Sequence, residues 1–115
     1  MRIVEKPWGH ELIWAHTDRY VGKILHIKAG HALSLQFHQH KDETIFLQRG
    51  KMRFEHFREG EAPVATELLT GQSFHITPGL RHRMVAIEDC DVLEASTPEL
   101  DDVVRLEDRY GRSGT

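Results

Sequence analysis

The chain has 115 residues and a mass of 13.3 kDa, which predicts one domain over residues 1–115. Its 15 Lys and Arg against 18 Asp and Glu give a net charge of −3, which argues against nucleic acid or an anionic membrane surface as a partner. No stretch approaches the roughly 18 consecutive apolar residues of a transmembrane helix, and the single cysteine, Cys90, favours a reducing cytoplasm.

Short strand-like runs follow one another along the chain, separated by turn residues and without helical periodicity. In chain order, the predicted strands are 20–28, 32–38, 43–48, 51–57, 64–69, 73–77, 82–87 and 91–96. Gly50 predicts a hairpin between the third and fourth of these runs. About ten short antiparallel strands with little or no helix predict an all-β fold, a jelly-roll barrel whose closure removes exposed sheet edges.

The predicted strand over 32–38 alternates between an apolar and a polar face. The polar face carries Ser34, Gln36 and His38, and the apolar face carries Leu33, Leu35 and Phe37. An apolar face on the outside of a small barrel is buried most readily against a second subunit. The sequence therefore predicts a homodimer.

Four polar side chains have the spacing of a metal site. His38 and His40 stand two residues apart, so on a strand both point to the same side. Glu43 reaches that side if residues 41–42 form a short loop or bulge. His82, which opens a strand after a Pro-Gly turn, is the expected fourth ligand. Imidazoles and a carboxylate suit one divalent ion of zinc, manganese, iron or nickel.

Two segments resemble the paired motifs of the cupin family. Residues 30–50 match the first motif through Gly30, His38, His40, Glu43 and Gly50, and residues 71–86 match the second through Gly71, Thr77-Pro78-Gly79 and His82. Cupins are small jelly-roll barrels that hold one metal with two His and a Glu of the first motif and a His of the second. The resemblance therefore implies the same four ligands as the spacing.

A narrower resemblance joins residues 6–11, 33–43 and 101–112 to the type II mannose-6-phosphate isomerases. In that family the cupin domain usually follows a mannose-1-phosphate guanylyltransferase domain. We expect a stand-alone cupin, because the chain has neither the length nor the Gly-rich nucleotide loop of the larger domain. We expect residues 101–112 to pack on the barrel and to have a structural role more than a catalytic one.

The resemblance implies a metal-dependent aldose–ketose isomerase of carbohydrate metabolism, whose partner is a small molecule, a sugar or sugar phosphate. Gln36, Lys41 and Arg83 are the expected substrate-binding residues, and Arg49 is a further candidate for holding a phosphate. The catalytic base stays open among Lys41, Glu94 and a carboxylate released from the metal.

Two other functions fit the same ligand set. A metal-dependent dioxygenase uses similar His and Glu ligands for Fe(II) or Cu(II). A non-catalytic sugar- or small-molecule-binding module is favoured by Thr44 and Ile45, which stand where the isomerase family has an imidazole and an indole beside the metal. Turnover of a sugar phosphate, uptake of oxygen, or binding without a product would distinguish the three.

Overall fold

The computed structural model describes residues 1–112, which form eleven β-strands. In chain order these are β1 (Arg2–Lys6), β2 (Gly9–His16), β3 (Val21–Ile27), β4 (Leu35–Phe37), β5 (Glu43–Arg49), β6 (Lys51–Phe57), β7 (Val64–Leu69), β8 (Ser73–Ile76), β9 (Arg81–Ala86), β10 (Cys90–Ser96) and β11 (Val104–Glu107). They pair antiparallel in a six-stranded sheet, β1-β2-β3-β10-β5-β8, and a five-stranded sheet, β11-β4-β9-β6-β7. The predicted all-β jelly roll is confirmed. Within residues 1–112 no helix is long and apolar enough to cross a membrane.

Most predicted strands lie within one residue of the observed bounds, and three strands have no predicted range. β1, β2 and β11 were missed because charged residues occupy inward positions on them. Arg2 and Lys6 on β1, Glu11 on β2 and Arg105 on β11 all line the cavity between the sheets, Arg2 from an exposed position. Because these charged residues stand at inward positions, they interrupt the alternation of apolar and polar residues on which strand prediction depends.

The predicted apolar face over 32–38 does not form as one surface. β4 covers only Leu35–Phe37, so the strand alternation does not extend back to Leu33. Leu33 packs against the core and lines the interior cavity. Phe37 lies outside, with the Arg81 guanidinium 4.2 Å from its ring centre. The three side chains named for a dimer contact therefore do not share one exposed face.

The space between the two sheets is apolar at one end and charged at the other. The core contains Trp8, Leu25, Ile27, Ile45, Leu47, Met52, Phe54, Leu68, Ile76, Leu80, Met84, Ala86, Cys90 and Val92. Further along the same strands, inward positions are taken by Lys23 on β3, Glu94 on β10 and Glu43 on β5. On β9 the inward series Ala86 and Met84 ends in His82. The strand alternation thus directs charged and imidazole groups into one end of the barrel.

Gly50 lies in the tight connection between β5 and β6, with φ of +102°. A Cβ at this position would lie 2.2 Å from the carbonyl oxygen of Asp89. We expect Gly50→Ala to destabilise the fold by more than the roughly 1–3 kcal/mol typical of a strained backbone, as measured by urea unfolding. Gly60→Ala is the matched control, because Gly60 has φ of +82° but no heavy atom within 4 Å of its Cβ position. Equal losses in the two variants would contradict the role assigned to the Asp89 contact.

Candidate metal centre

Three of the predicted ligands meet at the charged end of the barrel. Glu43 begins β5, His82 follows the first residue of β9, and His38 comes directly after β4. One ligand atom from each of these residues lies within 4.8 Å of the other two. All three side chains are buried, with residue exposures of 2–4%. The structure therefore brings together two imidazoles and one carboxylate from separate strands.

Each imidazole is held by a hydrogen bond from its Nδ1 to a backbone carbonyl. His38 Nδ1 lies 2.5 Å from the Asp102 oxygen, and His82 Nδ1 lies 2.9 Å from the Leu80 oxygen. A carbonyl oxygen only accepts, so Nδ1 carries the proton in each ring and Nε2 keeps its lone pair. Burial lowers the pKa of both histidines, which favours the neutral imidazole. Both rings are in the form that binds a metal ion.

The carboxylate of Glu43 shares the buried Lys41 ammonium with Glu94. Lys41 Nζ lies 2.8 Å from Glu43 Oε2 and 3.0 Å from Glu94 Oε2. Burial disfavours the ammonium, but the charges of Glu94 and Glu43 outweigh it and raise the pKa of Lys41. Burial and the charge of Glu94 raise the pKa of Glu43, whereas burial of Glu94 is outweighed by Lys41 and Lys23, which lower the pKa of that carboxyl. Lys41 thus links the cluster of His38, Glu43 and His82 to a second buried carboxylate.

The donor set fits a divalent cation. Glu43 Oε2 is buried and lies 3.4 Å from His38 Nε2. Lys41 Nζ pairs with this oxygen at 2.8 Å, and a carboxylate oxygen has a second lone pair that can face an ion. Two imidazole nitrogens with free lone pairs beside such a carboxylate match the ligand types of zinc, manganese, iron and nickel.

His40, the fourth predicted ligand, does not join the cluster in this structure. Its side chain is exposed, and its backbone N–H donates to Asp102 Oδ2 at 2.7 Å. The expectation that His38 and His40 point to the same side required a continuing strand. β4 ends at Phe37, so the chain has already turned when it reaches His40.

The cluster lies in a cavity of about 210 Å³ between the two sheets. Gln36 and Lys41, two of the predicted substrate-binding residues, line it. Gln36 also donates from Nε2 to Ser34 Oγ at 3.0 Å. Arg83 lies outside the cavity, because it follows the inward-facing His82 on β9 and points the other way, to Glu107 Oε2 at 2.6 Å. Arg49 pairs with Asp91 at a distance of 2.7 Å, also away from the cavity.

Asp102 positions the loop that carries His38, and sequence reasoning did not single it out. Its carboxylate accepts the backbone N–H groups of Gln39, His40 and Lys41 at 2.7–3.0 Å. Its own carbonyl oxygen accepts from His38 Nδ1. Although burial opposes it, these backbone donors lower the pKa of Asp102. The only sequence signal was an acidic pair at 101–102 at the start of the segment expected to pack on the barrel.

We expect Asp102→Ala to lower the free energy of unfolding by about 2 kcal/mol, because three backbone donors lose a charged acceptor. Chemical denaturation measures this loss, and Asp101→Ala is the matched control because the Asp101 side chain accepts none of those hydrogen bonds. If the two variants were equally stable, Asp102 would not organise the loop.

Comparison with known proteins places the chain in a family. The family described as the C-terminal region of mannose-6-phosphate isomerase matches residues 1–108. This chain belongs to that family. A mannose-1-phosphate guanylyltransferase of Salmonella typhimurium, ManC, is 34% identical over 116 residues, covering 96% of this chain. The alignment covers 23% of that relative, so the chain spans about a quarter of its length.

Solved structures confirm the cupin fold of this member of the mannose-6-phosphate isomerase C-terminal family. KdgF from Halomonas sp. superposes with a TM-score of 0.75 at 24% identity, covering 89% of this chain and 92% of KdgF. A single-residue variant of oxalate decarboxylase from B. subtilis gives a TM-score of 0.80 at 16% identity, covering 91% of this chain and 30% of the decarboxylase. At such identities the likeness establishes the architecture alone.

Proposed function

We propose that this chain is a metal-dependent aldose–ketose isomerase that acts on a sugar phosphate of the mannose 6-phosphate type. The observation that supports this most is the cluster of His38, Glu43 and His82, buried in a cavity lined by further charged groups. Membership of the mannose-6-phosphate isomerase C-terminal family supports the substrate class. One divalent ion, of zinc, manganese, iron or nickel, belongs to the proposal.

His38 Nε2, His82 Nε2 and a Glu43 oxygen would hold the ion. Bound there, the ion would supply positive charge that polarises a substrate carbonyl. In the protein itself, the neighbouring carbonyl oxygens fix both imidazoles, and burial of the three ligands excludes water. Gln36, which lines the same cavity, presents an amide that can hydrogen-bond a sugar hydroxyl.

Glu94 is the proposed base. Isomerisation requires one group to take a proton from C2 and return it to C1, which regenerates the group, while a second proton passes from the C2 hydroxyl to the C1 carbonyl oxygen. Lys41 is a poor choice, because Glu94 and Glu43 outweigh its burial and raise the pKa of its ammonium. Glu43 is committed to the metal cluster. Glu94 is buried and lines the cavity, yet its pKa is lowered, because its burial is outweighed by Lys41 and Lys23. Its carboxylate is therefore available to accept a proton.

The test of this function is turnover of mannose 6-phosphate by the purified protein with each of the four metals, in an assay coupled to fructose 6-phosphate. We expect activity with at least one metal and loss of that activity after treatment with a chelator. Activity that survives the joint replacement of His38 and His82 by alanine would refute the proposed site. Absence of turnover with every metal, together with binding of the sugar phosphate, would favour a non-catalytic module instead.

A dioxygenase is the second candidate, because two histidines and one carboxylate are also the ligand set of non-haem iron oxygenases. The cavity wall favours the sugar phosphate: six cationic and four acidic residues line it, which suits a polar, anionic molecule. Oxygen uptake by the Fe(II)-loaded protein with a phenolic or diketone substrate, without turnover of sugar phosphates, would reverse this preference.

A homodimer and a cytoplasmic location complete the proposal. A row of apolar side chains crosses the outer face of the six-stranded sheet, joining Ile3, Leu12, Ile24, Leu93 and Phe46 as cross-strand partners. Ile3 is 62% and Phe46 is 38% exposed. Such a patch supports association of two copies. A monomer in light scattering would refute the dimer. The unpaired thiol of Cys90 suits a reducing compartment.

A further inference from the structure

The cavity lined by His38, Glu43 and His82 carries an excess of positive charge. Its cationic residues are Arg2, Lys6, Lys23, Lys41, Arg105 and Arg112, and its acidic residues are Glu11, Glu43, Glu94 and Asp101. The whole chain has the opposite sign, with a net charge of −3. A surplus of cations around one cavity of an acidic protein indicates an anionic ligand.

Half of these cations have carboxylate partners and half do not. Lys23 pairs with Glu11 at 3.5 Å, Lys41 pairs with Glu43 and Glu94, and Arg112 pairs with Asp108. For Arg2, Lys6 and Arg105, no carboxylate oxygen lies within 4.0 Å among residues 1–112. Three unpaired cations therefore face one cavity.

Of these three cations, Arg105 has the clearest need for a hydrogen-bond partner. Its Nε is buried and has no hydrogen-bond partner within residues 1–112. A buried donor left in this state is costly, and it is expected to find its partner in a bound molecule. The position also suits a ligand that reaches the metal cluster, because Arg105 is the cross-strand partner of Gln36, which is the partner of His82. Two strand spacings, about 10 Å, separate the backbones of Arg105 and His82.

Lys6 enters the same region from β1, in the other sheet. Burial lowers the pKa of Lys6; the attraction of Glu11 opposes this, and the charges of Arg112, Lys23 and Arg105 lower the pKa further. Because Lys6 and Arg105 line the same cavity, their like charges repel each other across it. An anion bound between them would relieve this repulsion.

We propose that Lys6 and Arg105 form an anion subsite of the metal cavity, which binds the phosphate group of a sugar phosphate whose carbonyl end lies at His38, Glu43 and His82. This inference rests on the proposed function for its choice of ligand. A guanidinium presents paired donors that match two phosphate oxygens, and an ammonium adds a point charge. Gln36 lies between the subsite and His82, where the hydroxyl groups of the sugar would pass.

The test is isothermal titration of the purified chain, after dialysis against a chelator, with mannose 6-phosphate, mannose and inorganic phosphate. Without metal, the measurement isolates the protein's own contacts with the phosphate. We expect mannose 6-phosphate to bind more tightly than mannose. Arg105→Gln and Lys6→Gln should each weaken binding of mannose 6-phosphate by about tenfold or more, and leave mannose unchanged.

Arg53→Gln is the matched control, because Arg53 is exposed on β6 outside the cavity and the change in charge is the same. Thermal melts establish that each variant is folded, and Lys6→Gln carries the test if Arg105→Gln is not. The subsite is refuted if the phosphate adds no affinity, if both cavity variants bind like Arg53→Gln, or if all three variants weaken binding equally.

The subsite and the proposed function fail in different ways. Phosphate-dependent binding that requires Arg105, without isomerisation under any metal, would leave the subsite standing and refute the function. Isomerisation of mannose 6-phosphate with an unchanged KM in Arg105→Gln would refute the subsite and leave the function standing.

Discussion

Replacing His82 with alanine is expected to abolish tight binding of a divalent cation. The imidazole Nε2 is a direct ligand in the proposed site, so we expect affinity to fall by more than the about 10–100-fold typical of losing a group that merely hydrogen-bonds to a ligand. Elemental analysis after dialysis and titration with Zn²⁺ or Mn²⁺ measure the loss. His38→Ala is expected to behave alike, because both rings offer a free Nε2 at the same cluster.

His40→Ala provides the matched control for these two variants. It removes an imidazole two residues from His38, but that side chain is exposed and outside the cluster. We expect its metal content and affinity to equal those of the unchanged protein. A loss as large as that of His82→Ala would show that His40 turns inward when the ion binds, and the three-ligand site would have to be replaced by a four-ligand one.

Replacing Glu94 with glutamine is expected to lower kcat for isomerisation by between about 100-fold and about 10,000-fold, the range in which acid–base groups contribute. The amide keeps the shape of the side chain but cannot take a proton from carbon. Because the metal ligands are untouched, metal content should remain complete. KM for mannose 6-phosphate should change little, since the interaction lost is made in the transition state.

Glu67→Gln is the control for this experiment, because it makes the same chemical change at an exposed residue of β7. We expect its kcat to equal that of the unchanged protein. If Glu94→Gln kept full kcat, the base would have to be sought elsewhere in the cavity. If it lost both metal and turnover, Glu94 would support the ligands and would not act on the substrate.

The sequence was most informative where the chain is regular. Glu43 begins β5 and His82 is the second residue of β9, and the structure brings together these two residues of the two motifs. His40 depended on a strand that continued past Phe37, and the turn after β4 removed that condition. The outward direction of Arg83 was predictable from the sequence, because a residue next to an inward-facing His82 on a strand must face outward.

The remaining parts of the cavity come from residues far apart in the chain. Asp102 bonds to backbone groups more than 60 positions earlier, and Arg105 meets Gln36 only through the pairing of β11 with β4. Local patterns do not encode such contacts. Residues 101–112 were expected to serve architecture, yet they supply both the support for the His38 loop and a cation that faces the cavity.

The short pairing of β11 with β4 has a consequence for the dynamics of the protein. β11 is an edge strand whose register shifts after Arg105, so few backbone hydrogen bonds hold it in place. Segments of this kind open locally at low cost, and a molecule that binds only the closed form suppresses the opening. Amides of β11 should therefore exchange with deuterated solvent faster in the free protein than in the ligand-bound protein. Their exchange should slow down in proportion to ligand occupancy.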